Sequence, residues 1–320
     1  MGILEVKNLN LGFETEAGFK QALYDVSFSL EKGKIHALVG ESGCGKTISA
    51  MSILRLLPKT AKIKSGEIFF DGRDLLKLSN FDLENIRGSK IALIPQDPMT
   101  SLNPLFTIEN QLLEVIEKHQ GLKGKEAVQK AIEALEMVQI PSVKTRLKSY
   151  PHEFSGGMKQ RAIIAMALAC NAQVIIADEP TTALDVTIQA QIMNILSDIK
   201  KETGTSILLI THDLALVEDC ADEISVMYSG RIVESAPTQE FFTNTNHPYS
   251  KALLKSLPSN ITNKNERLAI IKGQPPSIQQ NISGCKFHPR CEFAMPVCSK
   301  VVPELKGIAK EHCSACHLND

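Results

Sequence analysis

Ile35-His-Ala-Leu-Val-Gly40-Glu-Ser-Gly-Cys-Gly-Lys46-Thr47-Ile-Ser-Ala50 reads as a short apolar strand, a glycine-rich turn and the opening of a helix that runs on to Leu57. That order is the context a phosphate-binding loop requires. Gly40, Gly43 and Gly45 let the N–H groups of the loop, those of Ser42 and Cys44 among them, turn inward around an anion. The helix that follows presents its positive end to the same point. Lys46 would then reach β- and γ-phosphate oxygens, and Thr47 would ligate Mg²⁺. The alternative, a glycine turn with a chance Lys-Thr, leaves the flanking strand and helix without a reason.

Outward from this loop the pattern is α/β. Residues 3–9 and 22–30 alternate apolar and polar side chains (Leu23, Val26, Phe28, Leu30), as half-buried antiparallel strands do. Residues 90–95, 173–178 and 205–210 are continuous apolar runs, which imply parallel strands covered on both faces. Between Pro98 and Cys170 strands give way to helical patterns at roughly 107–119, 125–139 and 157–170, the mark of a helical insertion. A strand pair at about 222–235 turns at Ser229-Gly230. From 236 the composition shifts to Asn, Pro and Ser with no long periodic run. The reading is a nucleotide-binding domain over 1–235, with a helical subdomain of about 98–170, and a C-terminal extension over 236–320.

Asp178-Glu179 ends the apolar strand Val174–Ala177. An acid at a strand end beside a phosphate loop can hold Mg²⁺ through water, the role assigned to Asp178, and Glu179 would polarise the attacking water as general base. Phosphoryl transfer to water needs little beyond such positioning and charge stabilisation. Gln96 follows the strand at 90–95 and opens the helical insertion, so its amide would touch Mg²⁺ or the water and couple the site to that insertion. The run Tyr150-Pro-His-Glu-Phe-Ser-Gly-Gly-Met-Lys-Gln-Arg161 begins another helix. Ser155 is its expected N-cap, and Gly156 and Gly157 leave its backbone open to an anion. A second chain's ATP supplies that anion, with Thr181-Thr-Ala-Leu-Asp185 as the loop that touches the other chain's site.

Composition limits the alternatives. The 320 residues are 43% hydrophobic and 22% charged with a formal charge of −1, which fits an ordinary core and argues against broad electrostatic binding of nucleic acid. No apolar run approaches the roughly 20 residues of a membrane span, and the start lacks a signal-peptide core. A cytosolic chain is expected. Of eight cysteines, Cys44, Cys170 and Cys220 are scattered, while Cys285, Cys291, Cys298, Cys313 and Cys316 crowd the end. In a cytosolic protein such a cluster reads as a metal site rather than disulfides. Spacing alone leaves iron–sulfur and zinc both open: the first three gaps are wide, yet Cys313-Ser-Ala-Cys316 is a zinc-type pair.

The phosphate loop together with Ser155-Gly156-Gly157-x-x-Gln160 resembles the ATP-binding cassette (ABC) ATPases. Longer runs resemble the ATPase subunits of dipeptide, oligopeptide and nickel importers: Ile94–Pro104, Tyr150–Arg161, Ile176–Gln191, His247-Pro-Tyr249, Gly273-Gln-Pro-Pro276 and Gly284–Cys291. The resemblance covers nearly the whole chain. Phe154 departs from the Leu of the general signature but is common in this importer group. Asn281-Ile-Ser283 depart from an expected Pro-containing lead-in, which touches only local loop shape. The resemblance implies an ABC core with a mixed, mainly parallel sheet, an antiparallel N-terminal β-subdomain and a cysteine-rich extension. It also implies that Phe13 stacks on adenine, that His212 contacts the γ-phosphate, and that Cys285, Cys291, Cys298 and Cys316 carry a [4Fe–4S] cluster with Cys313 spare.

The implied function is ATP hydrolysis coupled to uptake of di- or oligopeptides, with nickel as the alternative cargo. The implied partners are a second, distinct ABC ATPase subunit, two membrane permease subunits and an extracytoplasmic solute-binding protein, with this chain peripheral on the cytoplasmic face. A soluble ABC ATPase acting on ribosomes or DNA fits less well, because there is one cassette and no long coiled-coil insertion. A phosphotransferase would leave the Ser-Gly-Gly run without a use.

Overall fold

The alternating residues at the start of the chain form an antiparallel hairpin, Leu4–Thr15 with Gly18–Leu30, flanked on its other side by Ala61–Phe70 and the short Arg73–Asp74. A computed structural model describes residues 2–16, 18–182, 184–257 and 271–320. Alternation is not strict in this sheet. Asn8 and Asp25 adopt positive φ of 48° and 51°, and the register slips between Val6 and Leu9. Such a bulge lets side chains three apart face one side, so Leu4, Val6, Leu9 and Leu11 are all buried.

The chain packs as two units. One comprises Met1–Glu31, Ile35–Leu76 and Thr211–Asp320, the other Lys32–Lys34 and Lys77–Ile210. The first holds, besides the hairpin sheet, strands in the order Lys306–Ala309, His312–Ser314, Arg231–Pro237, Glu223–Tyr228 and Ile35–Val39. All these pairings are antiparallel except that of Ile35–Val39 with Glu223–Tyr228, which is parallel. Every residue of Ile35–Val39 is buried, as its unbroken apolar run requires.

The second unit carries the parallel strands Ile91–Ile94, Val174–Asp178 and Ser206–Thr211. Its helices Ile108–Gln120, Gly124–Met137 and Gly156–Ala169 pack on one another. Their ends follow local chemistry. Thr107 caps the first by accepting from the Asn110 N–H, and Gly121 ends it at φ 71°. Among the described residues no helix is long and apolar enough to cross a membrane.

Beyond 236, where the sequence shows no long period, two helices occur, Thr238–Asn244 and Pro248–Lys255. Two turns are too short to display a 3.6-residue period. The second is started by Pro248 and by His247, whose Nδ1 accepts from the Tyr249 N–H at 3.1 Å. The strand His312–Ser314 was likewise not legible. It pairs Ser314 with Glu234 and Cys313 with Ser235.

Glu234 binds these pieces together. It is fully buried, and its carboxylate accepts from the Asn246 N–H at 2.7 Å and the His247 N–H at 3.0 Å, with His312 Nε2 at 2.8 Å. Its removal leaves the buried His247 N–H, the part-buried Asn246 N–H and His312 Nε2 without this acceptor. Glu234→Ala is therefore expected to cost about 3 kcal/mol of stability, read from the denaturant midpoint. A loss near zero would show that the carboxylate is dispensable.

Candidate functional site

In the first unit the chain leaves the buried strand Ile35–Val39 and folds into a tight loop at Gly40. A Cβ on Gly40 would run into the Met227 carbonyl oxygen and come within 2.9 Å of Cys44 Sγ. Gly45, at φ 111°, begins the helix Lys46–Ile53, and a Cβ there would meet Leu23 and Met227 side-chain atoms at 2.7 and 2.9 Å. The glycines are thus required by close approach as well as by backbone angle. Lys46 is buried, and its ammonium bends back to donate to the Gly40 carbonyl at 2.8 Å and the Glu41 carbonyl at 3.1 Å. Burial pushes the Cys44 thiol up from its ordinary value, with Lys46 pulling the other way. Ser42 and Gly43 are exposed, and Thr47 is half-buried on the first helical turn.

Two residues not found by sequence reading hold this loop. Arg290 forms an ion pair with the Glu41 carboxylate, and the Tyr249 hydroxyl accepts from the Glu41 N–H. Nothing local flags them, since both lie more than 200 positions away. Phe13, on the middle strand of the N-terminal sheet, is half-buried between Lys20 and Ala61 in register. His212 is exposed, one residue beyond the strand Ser206–Thr211.

In the second unit Asp178, 1% exposed, is the last residue of its strand. Glu179 follows with φ 46°, a left-handed conformation that costs a non-glycine residue about 1–2 kcal/mol. Its N–H donates to the Ile210 carbonyl at 2.9 Å, which holds the turn in place. One carboxylate oxygen, Oε2, accepts from Gln96 Nε2 and from Thr182 Oγ1, both at 2.9 Å. Strain held by surrounding contacts is characteristic of functional positions. Gln96 and Glu179 are thereby brought together, and Thr182, read from sequence only as part of the loop at 181–185, joins them.

The Ser-Gly-Gly run and the loop at 181–185 form one construction. Ser155 caps the helix Gly156–Ala169 by accepting from the Met158 N–H at 3.3 Å. Asp185 caps the helix Val186–Thr203 in the same way, from the Ile188 N–H at 3.0 Å. Ala183 of that loop lies outside the described residues. The two glycines differ. At Gly156 a Cβ finds its nearest neighbour, Leu184 Cδ2, at 3.6 Å, whereas at Gly157 it would press on Ile188 Cγ2 at 2.8 Å. Arg161, also unforeseen, ties this helix to Gln191 at 2.7 Å and to the Gln139 carbonyl at 2.9 Å.

Near the C-terminus Cys285, Cys291, Cys298 and Cys316 line one small cavity with His247, His288 and Phe293. Cys313 is not among its lining residues and sits in the strand His312–Ser314. Burial pushes the Cys285 thiol up to about 11 and raises those of Cys291 and Cys316. Among the described residues no group of three or more His, Cys, Asp or Glu side chains is arranged to hold a metal ion.

Comparison with known proteins resolves the family. Residues 23–182 match the ABC transporter family, and residues 233–298 match the family described as oligopeptide/dipeptide transporter, C-terminal region. The chain is 47% identical to a probable peptide ABC transporter ATP-binding protein of Sinorhizobium fredii, over 98% of this chain and 94% of that one. It is 46% identical to the dipeptide transport ATP-binding protein DppD of Bacillus subtilis, over 99% and 95%. The chain belongs to the peptide branch of the ABC transporter ATPases. Its fold agrees with a solved ABC cassette, MJ0796, described as a dimer in a post-hydrolysis state bound to ADP and Pi. That match has a TM-score of 0.66 and 28% identity, and covers 73% of this chain and 98% of the other.

Within this ABC ATPase the sharp difference between Gly156 and Gly157 is testable. Gly157→Ala should lose about 1–3 kcal/mol of stability through overpacking against Ile188, while Gly156→Ala should change it by less than about 0.5 kcal/mol. Thermal or denaturant unfolding of the two variants side by side reads the contrast. Equal effects would deny the close approach any role.

Proposed function

We propose that this chain is the ATP-hydrolysing motor of a peptide importer. The observation that carries the reading is full-length likeness, tail included, to peptide transport ATP-binding proteins. Nickel as cargo is not favoured by these relatives, nor is a soluble ABC ATPase working on ribosomes or DNA. In the proposed division of the chain, residues 1–235 bind nucleotide and residues 236–320 form a cysteine-rich extension. Of that extension, 258–270 lie outside the described residues.

The site residues have the following proposed roles. The loop Gly40–Thr47, with the N–H groups of Ser42, Gly43, Cys44 and Gly45, wraps the phosphates. Lys46 turns its ammonium from the loop carbonyls to the β- and γ-phosphate oxygens. Thr47, Gln96 and Asp178 would hold Mg²⁺, which would supply neutralisation of phosphate charge. Phe13 stacks on adenine and His212 contacts the γ-phosphate. Glu179 polarises the attacking water. Its hydrogen bond from Gln96 supports a coupling role, because Gln96 leads into the helices of the second unit. A shift of that segment would alter which partner the carboxylate keeps.

Ser155, Gly156, Gly157 and Asp185 serve the nucleotide of a second ATPase subunit, a distinct one, in a closed dimer. Moving a population from mostly open to mostly closed takes about 5.5 kcal/mol of differential binding, and two ATP molecules gripped from both sides are a sufficient source. Hydrolysis releases the clamp, and two permease subunits convert the cycle into movement of peptide delivered by a solute-binding protein. The chain would sit on the cytoplasmic face.

The four cysteines of the tail cavity are proposed to carry a [4Fe–4S] cluster, with zinc as the alternative. The support is that four cysteine thiols line one cavity, together with His247, His288 and His317. Bound there, a cluster would staple a segment with few hydrophobic residues.

Two measurements test the reading. Vesicles holding the whole transporter with ATP inside should accumulate labelled dipeptide or pentapeptide but not Ni²⁺, and Lys46→Ala should end the uptake. Ni²⁺ accumulation in its place would overturn the peptide assignment. Glu179→Gln should keep ATP binding, lose at least about a hundredfold in turnover, and persist as a closed dimer in ATP. Rapid turnover by that variant would remove Glu179 from the mechanism.

A further inference from the structure

Glu41, the residue after Gly40, is engaged through three of its groups. Its carboxylate takes a two-pronged bond from Arg290, Nη1 to Oε2 at 2.6 Å and Nη2 to Oε1 at 3.0 Å. Its N–H donates to the Tyr249 hydroxyl at 3.0 Å, and its carbonyl accepts from the Lys46 ammonium at 3.1 Å. One residue therefore joins the end of the chain to the lysine of the phosphate loop.

Arg290 is itself fixed. Nε donates to the Lys272 carbonyl at 3.0 Å, Nη2 to the Gly273 carbonyl at 3.3 Å, and Nη1 to the Tyr228 hydroxyl at 3.3 Å. Its side chain is only 6% exposed and that of Glu41 24%, so this pair is screened less than a surface ion pair. Behind it the rings of Tyr228, Tyr249 and Phe287 pack on one another at 4.6 to 5.3 Å between centroids. Phe287 and Arg290 both lie between Cys285 and Cys291, whose thiols line the tail cavity. The intervening turn is closed by bonds from the His288 N–H to the Cys285 carbonyl and from the Cys291 N–H to the His288 carbonyl. These bonds tie the placement of Arg290 to that of the two cysteines on either side of it.

We propose that Arg290 is a positioning residue for nucleotide binding. Through Glu41 it fixes the loop carbonyls that orient Lys46, and it makes nucleotide affinity depend on the state of the Cys285–Cys291 turn. The proposal rests on reading the loop Gly40–Thr47 as the nucleotide site.

Equilibrium binding of Mg–ATP to the full-length protein is the test, with the unfolding midpoint of each variant measured without nucleotide. Arg290→Ala should weaken binding about tenfold. Arg290→Lys should recover only part of this, since an ammonium cannot make the two-pronged contact. Arg290→Ala combined with Glu41→Ala should be no weaker than the weaker single variant. Cys291→Ser should weaken binding in the native background and add nothing to Arg290→Ala. If Arg290→Lys and Arg290→Ala both bind within twofold of the native protein while Lys46→Ala does not bind, the brace is wrong and the loop reading stands. Losses that merely track the unfolded fraction, or effects of Cys291→Ser and Arg290→Ala that multiply, also overturn it. Native-like binding by Lys46→Ala would remove the loop reading, and this proposal with it.

Discussion

The close approach of backbone at Gly40 is the constraint on which the first unit depends. The loop at Gly40 is pressed against the Met227 carbonyl with no room for a methyl group. That packing exists only because Ile35–Val39 and Glu223–Tyr228 lie side by side in parallel, both buried throughout or nearly so. Apolar side chains cover most of that pair, and its buried polar members meet each other, His36 Nε2 lying 2.9 Å from Ser225 Oγ. The chemistry of the phosphate loop and the hydrophobic reading of its strands are thus one requirement stated twice.

The second unit shows a related economy. Glu179 sits in a left-handed turn that its own side chain does not favour, held by the Ile210 carbonyl on one side and by Gln96 and Thr182 on the other. Two side-chain bonds converging on one carboxylate oxygen fix the direction of that side chain. Near it in sequence, Ser155 and Asp185 perform the same act, each capping a helix with a side-chain oxygen. Capping sets the direction of both helix starts, and the absent Cβ at Gly157 lets those starts approach.

The tail is an integral part of the first unit rather than an appendage to it. Its last strands extend the sheet that contains Ile35–Val39, Glu234 gathers three of its donors, and Arg290 and Tyr249 reach the phosphate loop. A segment short of hydrophobic residues is held here in part by buried polar contacts, which are directional and therefore place side chains accurately.

What the sequence determined by itself was local. The glycine spacing with Lys46 and Thr47, the cap Ser155, the acid pair ending Val174–Asp178 and the apolar strands are all features a few residues wide, where chain connectivity alone fixes geometry, whereas the cap at Asp185 emerged only in the structure. Even the bulge at Asn8 was hidden only in part, since the buried positions themselves were apolar. What tertiary structure alone decided was which distant groups meet: Arg290 with Glu41, Tyr249 with its N–H, Gly157 with Ile188, and Glu234 with His312. Arg290 and Glu41 lie 249 positions apart, and neither residue's neighbours encode the other. Their pairing follows from how buried strands and turns stack once water is excluded, a property of the packed chain rather than of any stretch within it.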